Sequence, residues 1–208
     1  MADIIIHGPP PSSYLRSVQM TCVEKGVSFE LRPVEFGSDA HLALHPFGKV
    51  PILEHGDVRL YETQAILRYL DGRFGGPSLV PPDPAAAARM DQWVSVHNCY
   101  AYQHLVIDYA FQYIRPRGAD GNPDRAGVEA ALPALHHDLG LFDAALADNE
   151  WLAGSFSLAD LIVAPAVTTA AMFPEGGQAI DRMANLRRWL TALESRDSSR
   201  HLHVPRPG

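Results

Sequence analysis

Cysteine is scarce in this 208-residue chain, which has only Cys22 and Cys99. Secreted domains that depend on disulfides are rich in cysteine, so this count argues against a disulfide framework. Both residues lie in apolar stretches with helical spacing, where a small buried thiol is common. We therefore expect free thiols in a reducing, cytoplasmic compartment.

Positive charge is also limited. Lysine and arginine together number 17 against 24 aspartate and glutamate residues, a formal net charge of -7, and the longest basic cluster is Arg187-Arg188. Because nucleic-acid binding needs a basic face, we do not expect a nucleic-acid partner. An anionic ligand would have to be held by local donors against the overall field.

Long apolar runs are missing as well, and no stretch approaches the length of about 18 residues that indicates a membrane-spanning helix. The first residues carry neither a basic leader nor an apolar run long enough for a signal peptide. We therefore expect no membrane association. A hydrophobic fraction of 47% with 20% charged residues is the balance of an ordinary globular protein.

Local patterns in the first part of the chain predict alternating strands and helices. An apolar strand at residues 4–6 leads through a proline-rich break to a helix that begins near Tyr14 and ends at Gly26. A second strand begins near Phe29, and residues 52–61 have the pattern of a β-hairpin followed by another helix. The order β-α-β then β-β-α predicts a mixed four-stranded sheet with helices packed on it.

The composition changes at residues 75–84, GGPSLVPPDP, which are typical of a linker. Beyond them apolar residues recur at helical spacing and no hairpin signal returns. We predict an α/β domain at residues 1–76, a linker at 77–84 and an all-helical domain at 85–208. The predicted helices of the second domain cover residues 85–96, 102–115, 125–147, 158–172 and 186–194.

Val50-Pro51 stands at the start of the predicted third strand. A cis peptide bond here would turn the chain sharply and leave the backbone N–H and C=O of Val50 free to pair with a peptide ligand. The alternative is an ordinary trans proline that opens a strand, since cis bonds are a small minority of X-Pro bonds.

Glu62-Thr63 stands at the predicted start of the helix after the hairpin. Unpaired N–H groups and the helix dipole make such a point suitable for an anion, and the threonine hydroxyl adds a donor. The alternative is a simple helix cap. Lys49 and Arg16 could supply charge for a second carboxylate, or could be solvated surface residues.

Residues 45–54, HPFGKVPILE, and 60–70, LYETQAILRYL, closely resemble the glutathione-binding half of cytosolic glutathione transferases. His45 replaces the family's asparagine and Thr63 its serine. The resemblance implies a thioredoxin-like N-terminal domain, glutathione as co-substrate and no metal. It also implies that Val50, before a cis Pro51, pairs with the cysteinyl part of glutathione, and that Glu62 and Thr63 hold the γ-glutamyl carboxylate.

Residues 151–160, WLAGSFSLAD, resemble the buried capping segment of the same family's helical domain. Ser157 can cap a helix while Asp160, three positions later, reaches back to it, so we predict a structural role for both. The resemblance therefore extends over both domains, and it implies a homodimer.

A glutathione transferase must hold the sulfur of its ligand as a thiolate, because the thiolate is the nucleophile. A hydroxyl donor in the loop after the first strand can stabilise that anion, and this loop offers Ser12, Ser13 and Tyr14. Similarity to the serine-type classes favours Ser12, with Ser13 and Tyr14 as alternates; simple capping by the serines is the other interpretation. The loop lacks cysteine, and Cys22 comes too late, which argues against the cysteine-type classes.

The chain departs from the phi-type members at one point. These members place a His-Lys pair that binds the glycyl carboxylate where this chain has Phe36 and Gly37. Lys49 is then the candidate for that carboxylate, and the class stays open.

The electrophile pocket of this family lies between the first loop and the early helices of the second domain. Candidate residues are Pro10, Pro11, Tyr102, Val106, Tyr109 and Tyr113; the alternative for the helical stripe is ordinary core packing. The resemblance implies conjugation of glutathione to small electrophiles, as in detoxification. Glutathione-dependent isomerisation or reduction, or non-catalytic binding on the same fold, are the alternatives.

Overall fold

The computed structural model describes residues 4–118 and 121–204. Residues 1–3, 119–120 and 205–208 lie outside the described part, and with them the outer ends of the predicted domains 1–76 and 85–208. The described residues form two compact units. The first contains the residues up to Leu79 and those from Arg196 onward, and the second is Val80–Ser195.

The first unit is built on a four-stranded sheet with the order β2-β1-β3-β4. Strands β1 and β2 are parallel, whereas β3 runs antiparallel to both β1 and β4. The predicted mixed sheet is therefore confirmed. The strands are β1 (Ile4–His7), β2 (Phe29–Arg32), β3 (Ile52–His55) and β4 (Val58–Tyr61).

Three helices accompany this sheet: α1 (Ser13–Glu24), α2 (Asp39–Leu44) and α3 (Thr63–Arg73). Helix α1 ends at a left-handed Gly26, with φ +65°, as its sequence predicts. Helix α2 was missed, because six residues are too few to establish a helical repeat. Its only local signal is Ser38, whose hydroxyl accepts the His41 N–H at 3.1 Å.

Among the described residues, the segment 196–204 belongs to the first unit and packs against α1, whereas the predicted division assigned it to the helical domain. Arg196 donates two hydrogen bonds to the Glu24 carboxylate, at 2.9 and 2.7 Å, and the Ser198 hydroxyl donates a third at 2.5 Å. Arg16 is 1% exposed, and its guanidinium donates to the carbonyl of Leu202. Burial lowers the pKa of Arg16 to about 10. Arg16 is therefore buried and hydrogen-bonded within this unit. The prediction that it could hold a ligand carboxylate is wrong.

The second unit is entirely helical over its described residues, as predicted. Its first helix continues past the expected boundary at residue 96, because π-helical stretches at His97–Ala101 and Gln103–Ala110 carry it onward. No single described helix is long and apolar enough to cross a membrane; among the described residues only the bent pair Leu158–Ala171 and Pro174–Asp181 meets that criterion jointly. The helices are α4 (Pro84–Val96), α5 (Phe111–Ile114), α6 (Arg125–Ala145), α7 (Leu158–Ala171), α8 (Pro174–Asp181) and α9 (Ala184–Glu194).

Ser157 and Asp160 form a reciprocal capping box at the start of α7. The buried Asp160 carboxylate accepts four hydrogen bonds: from the N–H of Leu152 (3.0 Å), the N–H and hydroxyl of Ser157 (2.9 and 3.2 Å) and the indole of Trp189 (2.9 Å). Burial raises the pKa of Asp160 to about 6, against the opposing effect of these donors. The residue thus joins a loop, a helix start and α9 within the core of the second unit.

Replacing Asp160 by asparagine should destabilise the protein by about 3 kcal/mol, because the amide NH2 would face backbone or indole donors in a buried site. Chemical denaturation of the variant measures this loss. The exposed Asp148→Asn variant is the matched control and should stay within about 0.5 kcal/mol of the parent. Equal stability of the two variants would contradict the role given to Asp160.

Candidate active site

The sheet topology brings three of the predicted segments to one end of the first unit. Since β3 runs antiparallel to β1 and β4 returns antiparallel to β3, the ends of β1 and β4 meet the start of β3. The loop that contains Ser12 follows β1, Val50-Pro51 precedes β3, and Glu62-Thr63 follows β4. Ile52 is opposite both His7 and Tyr61, so these segments lie side by side.

Gly8 allows the first loop to lie against Val50. A Cβ atom on Gly8 would be 2.5 Å from Cδ1 of Leu15 and 3.2 Å from Cβ of Val50, and its φ is +148°. Both contacts are shorter than a side chain tolerates without movement. The start of α1 is therefore close to Val50 because residue 8 has no side chain.

The Val50-Pro51 bond is cis, as the motif indicated. The loop before it is held by His41, a fully buried residue of α2. Its Nδ1 accepts the Gly37 N–H at 3.3 Å, which leaves Nε2 to donate to the Lys49 carbonyl at 3.0 Å. His41 was not predicted as a site residue, because its helix was missed.

Glu62 has a left-handed backbone, with φ +68°, which is unfavourable for a residue with a side chain. It stands at the N-cap of α3, yet among the described residues its side chain makes no capping hydrogen bond. Glu62 is exposed and Thr63 is buried, so the start of α3 has the donors of a helix terminus without a side-chain cap from Glu62. The geometry favours an anion site over a simple cap.

His45, which replaces the family's asparagine, is 2% exposed, and its ring lies 4.7 Å from that of Tyr61, beside this helix start. Burial lowers the pKa of His45. Its Nδ1 accepts the Phe47 N–H at 3.2 Å, so the ring shapes the loop before Val50.

Ser12 is half-buried and caps α1, accepting the Leu15 N–H at 3.4 Å. This contact uses a lone pair of the hydroxyl and leaves its hydrogen available for donation. Capping and donation are thus compatible. Ser13 is 6% exposed within α1, and Tyr14 is half-buried.

Both cysteines are free, and Cys22 is buried inside α1. Burial raises the pKa of its thiol to about 12, so it is protonated at neutral pH. Within residues 4–118 and 121–204 there is no group of three or more His, Cys, Asp or Glu side chains that could hold a metal.

Most of the predicted pocket residues on the helices of the second unit are buried or hydrogen-bonded within that unit. Tyr109 is fully buried, and its hydroxyl accepts the Gly176 N–H at 2.8 Å and donates to Glu175 at 3.1 Å. Tyr113 donates to the same carboxylate at 2.5 Å. Val106 is 3% exposed and Tyr102 half-buried. These contacts favour the core alternative for Tyr109 and Val106.

The other predicted pocket residues, Pro10 and Pro11, are exposed in the first unit. They stand between Gly8 and the start of α1, in the loop that carries Ser12.

A Gly8→Ala variant should lose about 2 to 4 kcal/mol of stability, because the new methyl group collides with Leu15 and Val50. The control is Gly56→Ala, at a left-handed turn with open space around it, which should cost about 1 to 2 kcal/mol. The free energy of unfolding of both variants is measured in urea. The loss at Gly56 reports backbone strain alone, and any excess loss at Gly8 reports the collision. A smaller loss at Gly8 than at Gly56 would contradict the close approach.

Comparison with known proteins agrees with this architecture. The family models for the N-terminal and C-terminal domains of glutathione S-transferase match residues 6–78 and 102–197. Glutathione S-transferase 3 of Zea mays is 33% identical over 206 residues, covering 94% of this chain and 91% of the relative.

Two solved structures show the same similarity. Glutathione S-transferase III in apo form has a TM-score of 0.87 at 32% identity, over 100% of this chain and 99% of the other. Glutathione S-transferase I from mais, in complex with an atrazine glutathione conjugate, has a TM-score of 0.85 at 28% identity, over 97% and 96%. This chain belongs to the glutathione S-transferase family and is a glutathione transferase.

Proposed function

We propose that this enzyme binds glutathione along the end of the sheet where Ser12, Val50 and Glu62 meet, and transfers its sulfur to small electrophilic molecules. The observation that carries the proposal is the convergence at that one place of a hydroxyl, the cis Val50-Pro51 bond at the start of β3 and a helix start that the Glu62 side chain does not cap. The reaction type is supported by the related glutathione S-transferase I from mais, whose structure is a complex with an atrazine glutathione conjugate.

In this proposal the γ-glutamyl carboxylate docks at the start of α3, where Glu62 and Thr63 present backbone N–H groups and a hydroxyl. The cysteinyl part pairs with the backbone of Val50, next to Pro51. Lys49 is the candidate partner for the glycyl carboxylate. These contacts place the sulfur at the loop after β1.

Ser12 then donates its hydroxyl hydrogen to the sulfur and stabilises the thiolate without itself ionising. The thiol proton leaves to solvent. The sulfur lone pair forms a bond to the electrophilic carbon, and the leaving group departs with the electrons of the broken bond. A free thiol has a pKa near 8.5, so this donor increases the reactive fraction at neutral pH.

Conjugation is favoured over glutathione-dependent reduction because the loop after β1 has no cysteine. Reduction through a mixed disulfide needs an accessible cysteine thiolate in that loop, whereas Cys22 is buried inside α1 with the pKa of its thiol raised to about 12. The exposed Cys99 belongs to the second unit. Isomerisation on the same site remains the alternative proposal.

Replacing Ser12 by alanine should lower kcat/KM with an activated aryl halide by about 100-fold, because the thiolate loses its donor. Ultraviolet absorbance of the bound thiolate across pH should show its pKa rising toward that of free glutathione. Ser12→Thr, which keeps both the hydroxyl and the cap, should restore most of the activity.

Two comparisons separate this role from capping. Asp83→Ala removes the N-cap of α4, whose carboxylate accepts the Ala86 N–H at 2.8 Å, and should leave the thiolate pKa unchanged. Ser13→Ala and Tyr14→Phe test the alternates. Full activity of Ser12→Ala, or a larger loss in either alternate, would show that Ser12 is not the donor.

We also propose that the enzyme is a cytoplasmic homodimer. Its free thiols are compatible with a reducing compartment. Phe47, in the loop before Val50, is 71% exposed, more than any other large apolar side chain among the described residues. An exposed aromatic residue of this size suits burial against a second copy.

Phe47→Asp should shift the protein from dimer to monomer at micromolar concentration, because a charge would be buried in the proposed interface. Sedimentation velocity measures the shift. Met172→Asp, at a 53% exposed residue of the second unit, is the control and should leave the mass unchanged. A monomeric parent, or a dimeric Phe47→Asp variant, would overturn the proposal.

A further inference from the structure

We propose that Phe36, His41 and Lys49 form a subsite, called here the corner, that binds the third and last residue of the thiol tripeptide. The corner selects only weakly for the carboxylate of that residue. The enzyme would then use γ-glutamylcysteinyl tripeptides with an uncharged or apolar third residue about as well as glutathione. This inference rests on the proposed function and deepens it.

The position of the corner follows from the order of the strands. At the end of the sheet where the site lies, the loop after β4 with Glu62 is at one side, and the loop after β2 leading to Phe36 is at the other. Val50 precedes β3, between them. Neighbouring strands are about 4.8 Å apart, so the three intervals span about 14 Å.

An extended tripeptide spans about 10 Å, and the γ-linkage lengthens it further. With its γ-glutamyl group at Glu62 and its cysteine at Val50, the ligand must direct its third residue toward the β2 side. The ligand does not need to span the full width, because His41 joins Gly37, after β2, to Lys49, next to Val50.

His41 holds the two sides of the corner together. Its ring accepts the N–H of Gly37, the residue after Phe36, and donates to the carbonyl of Lys49. The Phe36 ring stands edge-on to it, with centroids 5.3 Å apart and planes at 85°. Both ring nitrogens of His41 bind backbone groups, so neither can hold a ligand carboxylate.

The corner presents little positive charge. Lys49 is exposed, and the two arginines of the strands are paired: Arg32 with Glu30 at 2.7 Å and Arg59 with Glu54 at 2.9 Å. A single exposed lysine gives a weak, screened attraction to a carboxylate.

Phe36 adds apolar surface instead, because its side chain is 58% exposed. Gly37 has φ +80°, a conformation that a lysine at this position would adopt only with strain. The backbone of this loop therefore fits the glycine present and not the second cation of the phi-type pair.

The test compares three thiols with one aryl halide: glutathione, its glycyl ethyl ester and γ-glutamylcysteinylphenylalanine. In the parent enzyme we expect kcat/KM for the ester and the phenylalanine peptide to stay within about 5-fold of glutathione. Lys49→Met should lower the value for glutathione up to about 5-fold and leave the ester unchanged. Phe36→Lys should raise the preference for glutathione over the ester by a similar factor.

Leu141→Lys, at a 41% exposed residue of α6, is the matched control and should leave the preference unchanged. A loss above about 30-fold for the ester in the parent enzyme would overturn the inference, since it would mean a firmly held carboxylate. An unchanged preference in folded Phe36→Lys would overturn it as well. The parent measurements need no variant, so misfolding of either variant leaves the test decisive. Inactivity with all three thiols would instead overturn the proposed function.

Discussion

The close approach of the first loop to Val50, at a residue without a side chain, is the contact on which the rest of the site depends. A methyl group on Gly8 would lie 2.5 Å from Leu15 and 3.2 Å from Val50. Helix α1 can therefore begin beside the cis Val50-Pro51 bond, and Ser12 caps that helix. Any side chain at residue 8 would separate the proposed sulfur donor from the backbone proposed to hold the ligand.

The other end of α1 is fixed by charged side chains. Lys25, after the last turn, donates to Asp71 at 2.9 Å and to the Pro77 carbonyl at 2.8 Å, with its side chain almost fully buried. Glu24 holds Arg196 of the C-terminal segment. Because breaking a buried ion pair is costly, the helix is anchored to α3 and to the end of the chain. Helix α1, which carries Ser12 at its N-cap, is thus fixed at its start by the close packing of Gly8 against Leu15 and Val50. These pairs fix its end.

Features that depend on a few adjacent residues could be predicted from the sequence. A proline at the start of a strand, a polar pair before a helix and a serine after a proline-rich break each carry a local signal, and the topology brings them together. The missed features depend on contacts between distant residues. His41 acts through Gly37 and Lys49 from a helix too short to show a repeat, and the burial of Arg16 depends on Leu202, which lies 186 residues later.

The arrangement of donors resolves the conflict between a net charge of -7 and an anionic ligand. The proposed site relies on neutral donors: the N–H groups at the start of α3, the backbone of Val50 and the hydroxyl of Ser12. Such donors are fixed by the backbone, need no reorganisation as charge develops on the sulfur, and are less sensitive to salt than exposed cations. Glu62 has an unfavourable left-handed backbone conformation, and this turn ends β4 beside that helix start. An acidic chain can bind an anionic tripeptide in this way because local geometry, at short distance, outweighs the screened field of the whole molecule.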